Sequence, residues 1–314
     1  MAETLEELVI QGDPGTLADE SQASKFQLLD PQQLYELWER QHWLTQELDF
    51  EADREHWANF KDEERDYFTW GLSAFFIGEE RVATQFSGLV MAYEDESEEA
   101  FLTTQQVDEA RHAQFFDRFY REVIGIDDPS WEARLNRVRG ELNDAFVQLF
   151  DTALVEANQA LVADPKNPEL KVDFVTTYHM VIEGTLALTG QYMITDYLEK
   201  NDLLPGFVEG FKKVARDEHR HVAYGTWFLK EKCGSDKAMG ERMRGRLHEL
   251  LPTASGVLVP KGADPNDWEM LGYTSEQINT FAFNALTRRL KAIGVPLMDP
   301  AAPTNGASGN GAGS

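Results

Sequence analysis

Glu183 lies within Met180-Val181-Ile182-Glu183-Gly184-Thr185-Leu186-Ala187-Leu188, where apolar residues surround it in every direction around a helix. Glu79 has a comparable setting. It follows Ser73-Ala74-Phe75-Phe76-Ile77-Gly78, and Leu72, Phe75, Val82 and Phe86 fall on its own face at helical spacing. An unpaired carboxylate placed in such surroundings costs several kcal/mol even after the protein relaxes, so each must be protonated, paired or bound to metal. The chain therefore has to fold so that other segments bring compensating groups to both glutamates.

Those segments are helices. From Pro31 to about Leu290 apolar residues recur at three- and four-residue spacing with little β-branched alternation, so the fold class is all-α. The expected helices run near 31–47, 62–92, 96–124, 129–163, 168–199, 204–232, 236–252 and 274–292, separated by breakers such as DDPS, ADPKNP, LLPG and VPKGADPND. No change of composition divides the middle. One helical domain is expected over 26–295, between an acidic, disordered arm at 1–25 and a disordered tail at 296–314.

Two of the expected helices carry Glu-x-x-His: Glu109-Ala110-Arg111-His112 and Glu218-His219-Arg220-His221. Residues three apart lie about 60° from one another around a helix, so the carboxylate and imidazole of each pair can address one point beside the axis. The order repeats. A lone Glu precedes a Glu-x-x-His by 30 residues (79 to 109), and then by 35 residues (183 to 218), which suggests two equivalent metal positions. Two lone glutamates plus two Glu-x-x-His motifs on four long helices is the ligand set of ferritin-like di-metal carboxylate proteins. Carboxylate and imidazole suit iron and manganese, and four Glu anions would balance two divalent cations.

Glu-x-x-His alone is weak evidence, because a third copy, Glu39-Arg40-Gln41-His42, occurs in a charged amphipathic segment without a lone buried Glu. It reads as structural. His56, His219 and His248 lie among charged residues and are expected at the surface, whereas His179, four residues before Glu183, is expected in the core or behind the ligands.

Composition excludes several classes. The one cysteine, Cys233, rules out an intramolecular disulfide and a Cys-rich cluster, and fits a reducing compartment. The acidic start lacks the pattern of a secretory signal, and no apolar run reaches membrane-spanning length, so a cytoplasmic protein without a membrane partner is expected. With 29 Lys+Arg against 55 Asp+Glu the net charge is −26, which argues against nucleic acid as a partner.

At these residues the chain resembles the ribonucleotide reductase small-subunit superfamily, and most closely its ligand-binding oxidase branch. The similarity extends from about Leu34 to Arg289. Its carriers are Glu63-Glu64-Arg65-Asp66-Tyr67, Phe76-Ile77-Gly78-Glu79-Glu80-Arg81-Val82, Asp108 to His112, Val181 to Gly190, and Asp217 to His221. The resemblance implies a ferritin-like bundle and a homodimer. It also implies a dioxygen-activating metal pair, manganese with iron or two irons, held by Glu79, Glu109, His112, Glu183, Glu218 and His221. A long-chain fatty acid or similar carboxylate would sit against the metals in an apolar tunnel. It further implies an ether link between Val82 and Tyr178. Tyr178 stands about 140° from Glu183 on a straight helix, so that link requires a local distortion such as a π-bulge. Asp217 would accept a hydrogen bond from a ligating imidazole.

The implied activity is a two-electron oxidation by a dioxygen-dependent oxidase, in a dry cavity lined by residues such as Phe75, Phe86, Phe116 and Leu186. The alternative is the small subunit of a ribonucleoside-diphosphate reductase of the manganese–iron, tyrosyl-radical-free type. Phe116 stands where most of that family has its radical tyrosine, and nothing aromatic follows Phe283 toward the C-terminus. Iron storage is the third reading, disfavoured because ferritin subunits are much shorter four-helix chains.

Overall fold

The computed structural model describes residues 27–298. The expected arm at 1–25 and all of the expected tail beyond 298 lie outside the described residues. At the edge of that tail, Leu297 packs against the core and its carbonyl accepts a hydrogen bond from His248 Nε2 at 3.0 Å.

The chain begins with α1 (Pro31–Arg40), α2 (Glu51–Asn59) and the long α3 (Asp62–Gln85). The short α4 (Ser87–Met91) leads to the long α5 (Glu96–Phe119), whose end winds into a π turn at Tyr120–Ile124. Next come α6 (Trp131–Val138), α7 (Asp144–Phe146), a π segment at Val147–Ala153 and α8 (Leu154–Ala163). A second long rod is built from α9 (Pro168–Val175), a π segment at Thr176–Ala187 and α10 (Leu188–Lys200). It is followed by α11 (Pro205–Cys233) and α12 (Lys237–Val257). A two-residue hairpin, β1 (Glu269–Met270) with β2 (Tyr273–Thr274), leads into α13 (Ser275–Ile293). The architecture is the all-α, ferritin-like bundle, with α3, α5, the 168–200 rod and α11 around its centre.

Helix starts follow local chemistry. Asp30 and Gln33 form a capping box ahead of Pro31, Asp95 accepts from the Ser97 and Glu98 N–H groups, and Thr274 with Gln277 caps α13. Three expected helices prove segmented. The 31–47 helix stops at Arg40, the 62–92 helix is broken at Phe86, and the 129–163 helix is interrupted between Val138 and Asp144.

The helix α2 was not expected, because EADREHWAN has no clear apolar period. Its role is tertiary. Leu204, which precedes α11, has a left-handed backbone and no capping side chain of its own. The buried Asp53 of α2 supplies the cap, accepting from the Gly206 and Phe207 N–H groups at 2.8 and 2.7 Å, while His56 Nδ1 accepts from Leu204 N–H at 3.0 Å. A side chain at Gly206 would put Cβ only 2.0 Å from the Asp49 carbonyl, so glycine permits this close seat. His56 is thus half-buried rather than at the surface. His219 is a further correction: it is buried, with its ring against the Ala215 carbonyl, because α11 is surrounded on nearly every side. His248 is exposed, as expected.

Asp53→Ala should therefore lower stability by about 1–2 kcal/mol, the usual cost of a lost N-cap, with two buried N–H groups left unpaired. Urea unfolding of wild type and variant at equal slope is the measurement. An unchanged midpoint would contradict the capping role.

Candidate metal centre

Glu79 on α3, Glu109 and His112 on α5, Glu183 on the π segment, and Glu218 and His221 on α11 are all buried and converge at the bundle centre. They form two tetrads. Glu79, Glu109, His112 and Glu218 offer ligand atoms all within 4.8 Å of one another, and so do Glu109, Glu183, Glu218 and His221. Each tetrad thus takes the lone Glu and the His of one sequence half, while Glu109 and Glu218 belong to both. That sharing was not evident from spacing. The decoy behaves as expected: Glu39 and His42 are exposed, and Glu39 accepts from the Tyr35 hydroxyl.

Five donor atoms in this cluster are buried without a hydrogen-bond partner: Glu109 Oε2, His112 Nδ1, Glu183 Oε2, Glu218 Oε2 and His221 Nδ1. Buried polar atoms are rarely left so, and five aimed at one space fit a pair of cations. His112 Nδ1 stands 3.2 Å from Glu218 and 3.4 Å from Glu79, and His221 Nδ1 stands 3.0 Å from Glu109 and 3.4 Å from Glu183.

Without cations, burial sets the proton inventory. It pushes the Glu79 carboxyl up to about 8 despite the opposing pull of His112, and raises Glu183 well above its ordinary range, with Glu218 adding to the effect. Burial also disfavours charge on His112 and His221, yet the surrounding carboxylates outweigh it and raise both imidazoles well above their usual value. Glu109 moves the other way, because the two imidazoles overcome its desolvation.

Behind the imidazoles lies a crossed arrangement. Asp217, next to Glu218, meets His112 Nε2 at 3.3 Å, and Asp108, next to Glu109, meets His221 Nε2 at 3.3 Å. Each aspartate serves the other motif's histidine. The resemblance pointed to Asp217; Asp108 was missed, although the repeated pattern Asp-Glu-x-Arg-His at 108–112 and 217–221 could have revealed it. Both aspartates are fully buried and compensated: Arg220 bonds Asp217 at 2.5 Å and Asp108 at 2.9 Å, and Arg111 bonds Asp108 at 2.8 Å. The indoles of Trp43 and Trp38 donate to Asp217 and Asp108 at 2.7 and 2.9 Å. Desolvation of Asp217 is outweighed by Arg220, which holds its carboxyl well below the usual range. The Nε2 edges are thereby engaged, and the Nδ1 edges point into the cluster.

Tyr178 is fully buried and its hydroxyl donates to Glu109 Oε1 at 2.6 Å. The local distortion anticipated between Tyr178 and Glu183 is present, since both lie within the wide π turns of 176–187. Val82 is buried and borders an apolar cavity that opens from the glutamates between Trp70, Phe75, Phe150, Ile182 and Leu186. Phe86 and Phe116 are not on its wall. Phe86 packs on Tyr178, and Phe116 stacks behind Phe75. His179 belongs to neither tetrad and contacts Gln105 through Nε2 at 3.2 Å, as its expected place behind the cluster requires.

A family model described as ribonucleotide reductase, small chain, matches residues 23–298. Among solved structures, the chain is similar to an R2-like ligand-binding oxidase mutant with an anaerobically reconstituted Mn/Fe cofactor, at 27% identity and TM-score 0.72, covering 84% of this chain and 93% of that one. A second mutant, with an aerobically reconstituted Mn/Fe cofactor, aligns at 26% identity and TM-score 0.73, covering 86% and 97%.

Because burial raises the Glu79 and Glu183 carboxyls and the surrounding carboxylates raise the His112 and His221 imidazoles, cations must compete with protons for this cluster. Loading should release protons, and apparent affinity should rise with pH through the range in which Glu79 titrates. Calorimetry in buffers of different ionisation enthalpy reads this directly, and loading without proton release would refute it.

Proposed function

The chain belongs to the ribonucleotide reductase small-chain family, and from that premise we propose that it is a dioxygen-dependent di-metal oxidase of the R2-like ligand-binding kind. Glu79, Glu109, His112, Glu183, Glu218 and His221 are the proposed ligands, and manganese with iron the proposed pair. The observation that carries this reading is the set of five buried donor atoms without a hydrogen bond, in two tetrads that share two carboxylates.

When bound, the pair supplies dioxygen activation and the oxidising power for a C–H or O–H bond. The chain's own residues do the rest. Asp108 and Asp217 orient the two imidazoles, and Glu109 and Glu218 span both positions. The apolar wall excludes water from the reacting end. The proposed ligand is a long-chain fatty acid or similar carboxylate, a reading supported by the division of this cavity into an ionic floor and apolar sides that include Phe75, Phe150, Ile182, Leu186 and Ile194. The reading also includes the Val82–Tyr178 ether link, supported by the cavity position of Val82 and the π geometry around Tyr178. By family, the protein acts as a homodimer, and its single cysteine suits a reducing cytoplasm. No described helix is long and apolar enough to cross a membrane.

The second reading, a reductase small subunit of the manganese–iron, tyrosyl-radical-free type, is favoured by the match to the small-chain family; Phe116, buried among Phe75, Phe207 and Phe211, argues only against the tyrosyl-radical type. Ribonucleotide reduction on mixing with a candidate large subunit would establish it.

The oxidase is tested by loading the metal-free protein anaerobically with manganese and iron and then admitting oxygen. Metal analysis should find two ions per chain, intact mass should fall by two hydrogens, and solvent extraction of purified protein should yield a long-chain carboxylic acid. Fewer than two ions would remove the site. Unchanged mass would remove only the ether link. Separately, Asp108→Asn should weaken metal affinity by roughly 10- to 100-fold in a chelator competition, the usual effect of losing a partner behind a ligating histidine. Undiminished affinity would show that Asp108 does not act through His221.

A further inference from the structure

Away from the tetrads, α11 and α5 bury a second polar group. Tyr224 is fully buried, and its hydroxyl donates to Glu98 Oε1 at 2.6 Å. The same oxygen accepts from the buried Lys171 ammonium at 2.7 Å. Glu98 Oε2 receives the Glu94 N–H, and the Glu94 side chain is paired with Lys232 at the surface. Stability alone does not call for such a group, because a buried ion pair is often no better than apolar residues of similar volume.

Its position supplies another reason. On one side, the Tyr224 ring lies 5.3 Å from the His179 ring. His179 contacts Gln105, and Gln105 Nε2 reaches Glu183 Oε1 at 3.4 Å. Gly225 makes this closeness possible, since a Cβ there would fall 2.3 Å from that of His179. On the other side, Tyr224 lies 6.1 Å from Trp227, which is only half-buried. An oxidisable phenol with a carboxylate already at its proton therefore stands between the cluster and an indole that reaches solvent.

We propose that Tyr224 is a redox relay that carries an oxidising equivalent from the di-metal site to the protein surface through Trp227. The proposal rests on the di-metal oxidase reading. Tyr224 gives one electron to the oxidised site through the His179–Gln105 contact and passes its phenolic proton to Glu98 Oε1, leaving a neutral tyrosyl radical and a carboxylic acid. Trp227 then gives one electron to that radical, and Glu98 returns the proton. The Trp227 radical cation is reduced at the surface by one electron from an external reductant of the ascorbate or thiol class. No atom is transferred beyond that proton, and Tyr224 is restored. The relay lets the site discharge when no oxidisable ligand is present, without damage to its cavity. It also does not pass through Tyr178, so it operates whether or not that residue is linked to Val82.

The test uses full-length protein freed of bound organic ligand, loaded with manganese and iron, mixed with oxygen and freeze-quenched for electron paramagnetic resonance. Wild type should show a transient tyrosyl signal that narrows when tyrosine is ring-deuterated. Tyr224→Phe should lose that signal while binding and oxidising its metals as wild type does. Trp227→Phe, which leaves the buried Tyr224–Glu98–Lys171 group intact, should keep it and show slower decay when ascorbate is added. A wild-type signal undiminished in Tyr224→Phe overturns the relay, as does the absence of any tyrosyl signal from wild type whose metals are bound and oxidised. Failure to bind two metals is a different result, visible in metal analysis, and overturns the oxidase reading together with the relay. Should Tyr224→Phe fail to fold, decay unaffected by Trp227→Phe overturns the proposed exit.

Discussion

Four carboxylates and two imidazoles gathered inside an apolar helical bundle are the constraint on which the remainder of the structure depends. Removed from water, such groups are costly unless each finds compensation, and here mutual contact is insufficient: Glu79 and Glu183 are driven toward their neutral forms, and five donor atoms make no hydrogen bond. Two divalent cations resolve the conflict because they replace protons and satisfy several oxygens and nitrogens at once. The polar groups behind the cluster are arranged on the opposite principle. Asp108, Asp217, Arg111 and Arg220 compensate one another without any added ion, so they can hold His112 and His221 in one orientation.

Holding those residues in place is the work of α2, which contributes no member to the cluster, and of packing between the helices that do. Asp53 and His56 of α2 anchor the start of α11, and the rings of Phe115, Phe116, Phe207 and Phe211 fill the space between α5 and α11 on the way to the site. The π turns of 176–187 are the other device. They bring Glu183 and Tyr178 to bear on the same centre, with Tyr178 bonded to Glu109 across the bundle. The same widened segment puts His179 between the cluster and Tyr224. Geometry at the metals and geometry along the relay thus depend on one irregularity.

Much of the site was legible in the sequence. Glu79 and Glu183 stand out because their neighbours within one turn are apolar, and the Glu-x-x-His pairs gain meaning from those two, as the exposed Glu39/His42 copy shows. Even the distortion near Tyr178 followed from the family resemblance, because the Val82–Tyr178 link it implies could not form on a straight helix, where five residues turn Tyr178 out of alignment with Glu183. Less was legible where a residue's partner lies far along the chain. His219 sits among charged residues, yet it is buried because α11 is enclosed by its neighbours. Helix α2 has little amphipathic pattern, because its task is to cap a helix some 150 positions later rather than to bury a stripe.

By itself, then, the sequence determined that this is an all-α chain with four inward carboxylates and two histidines in two matching halves. That information is local: it resides in spacing, and a helix converts spacing into direction within a turn or two. Tertiary structure alone decided that Glu109 and Glu218 belong to both tetrads, that each aspartate meets the opposite half's histidine, and that Tyr224 meets Glu98 and Lys171. Those are pairings between helices, set by how the rods rotate and slide when their apolar faces are buried together, and no periodicity within a single helix encodes them.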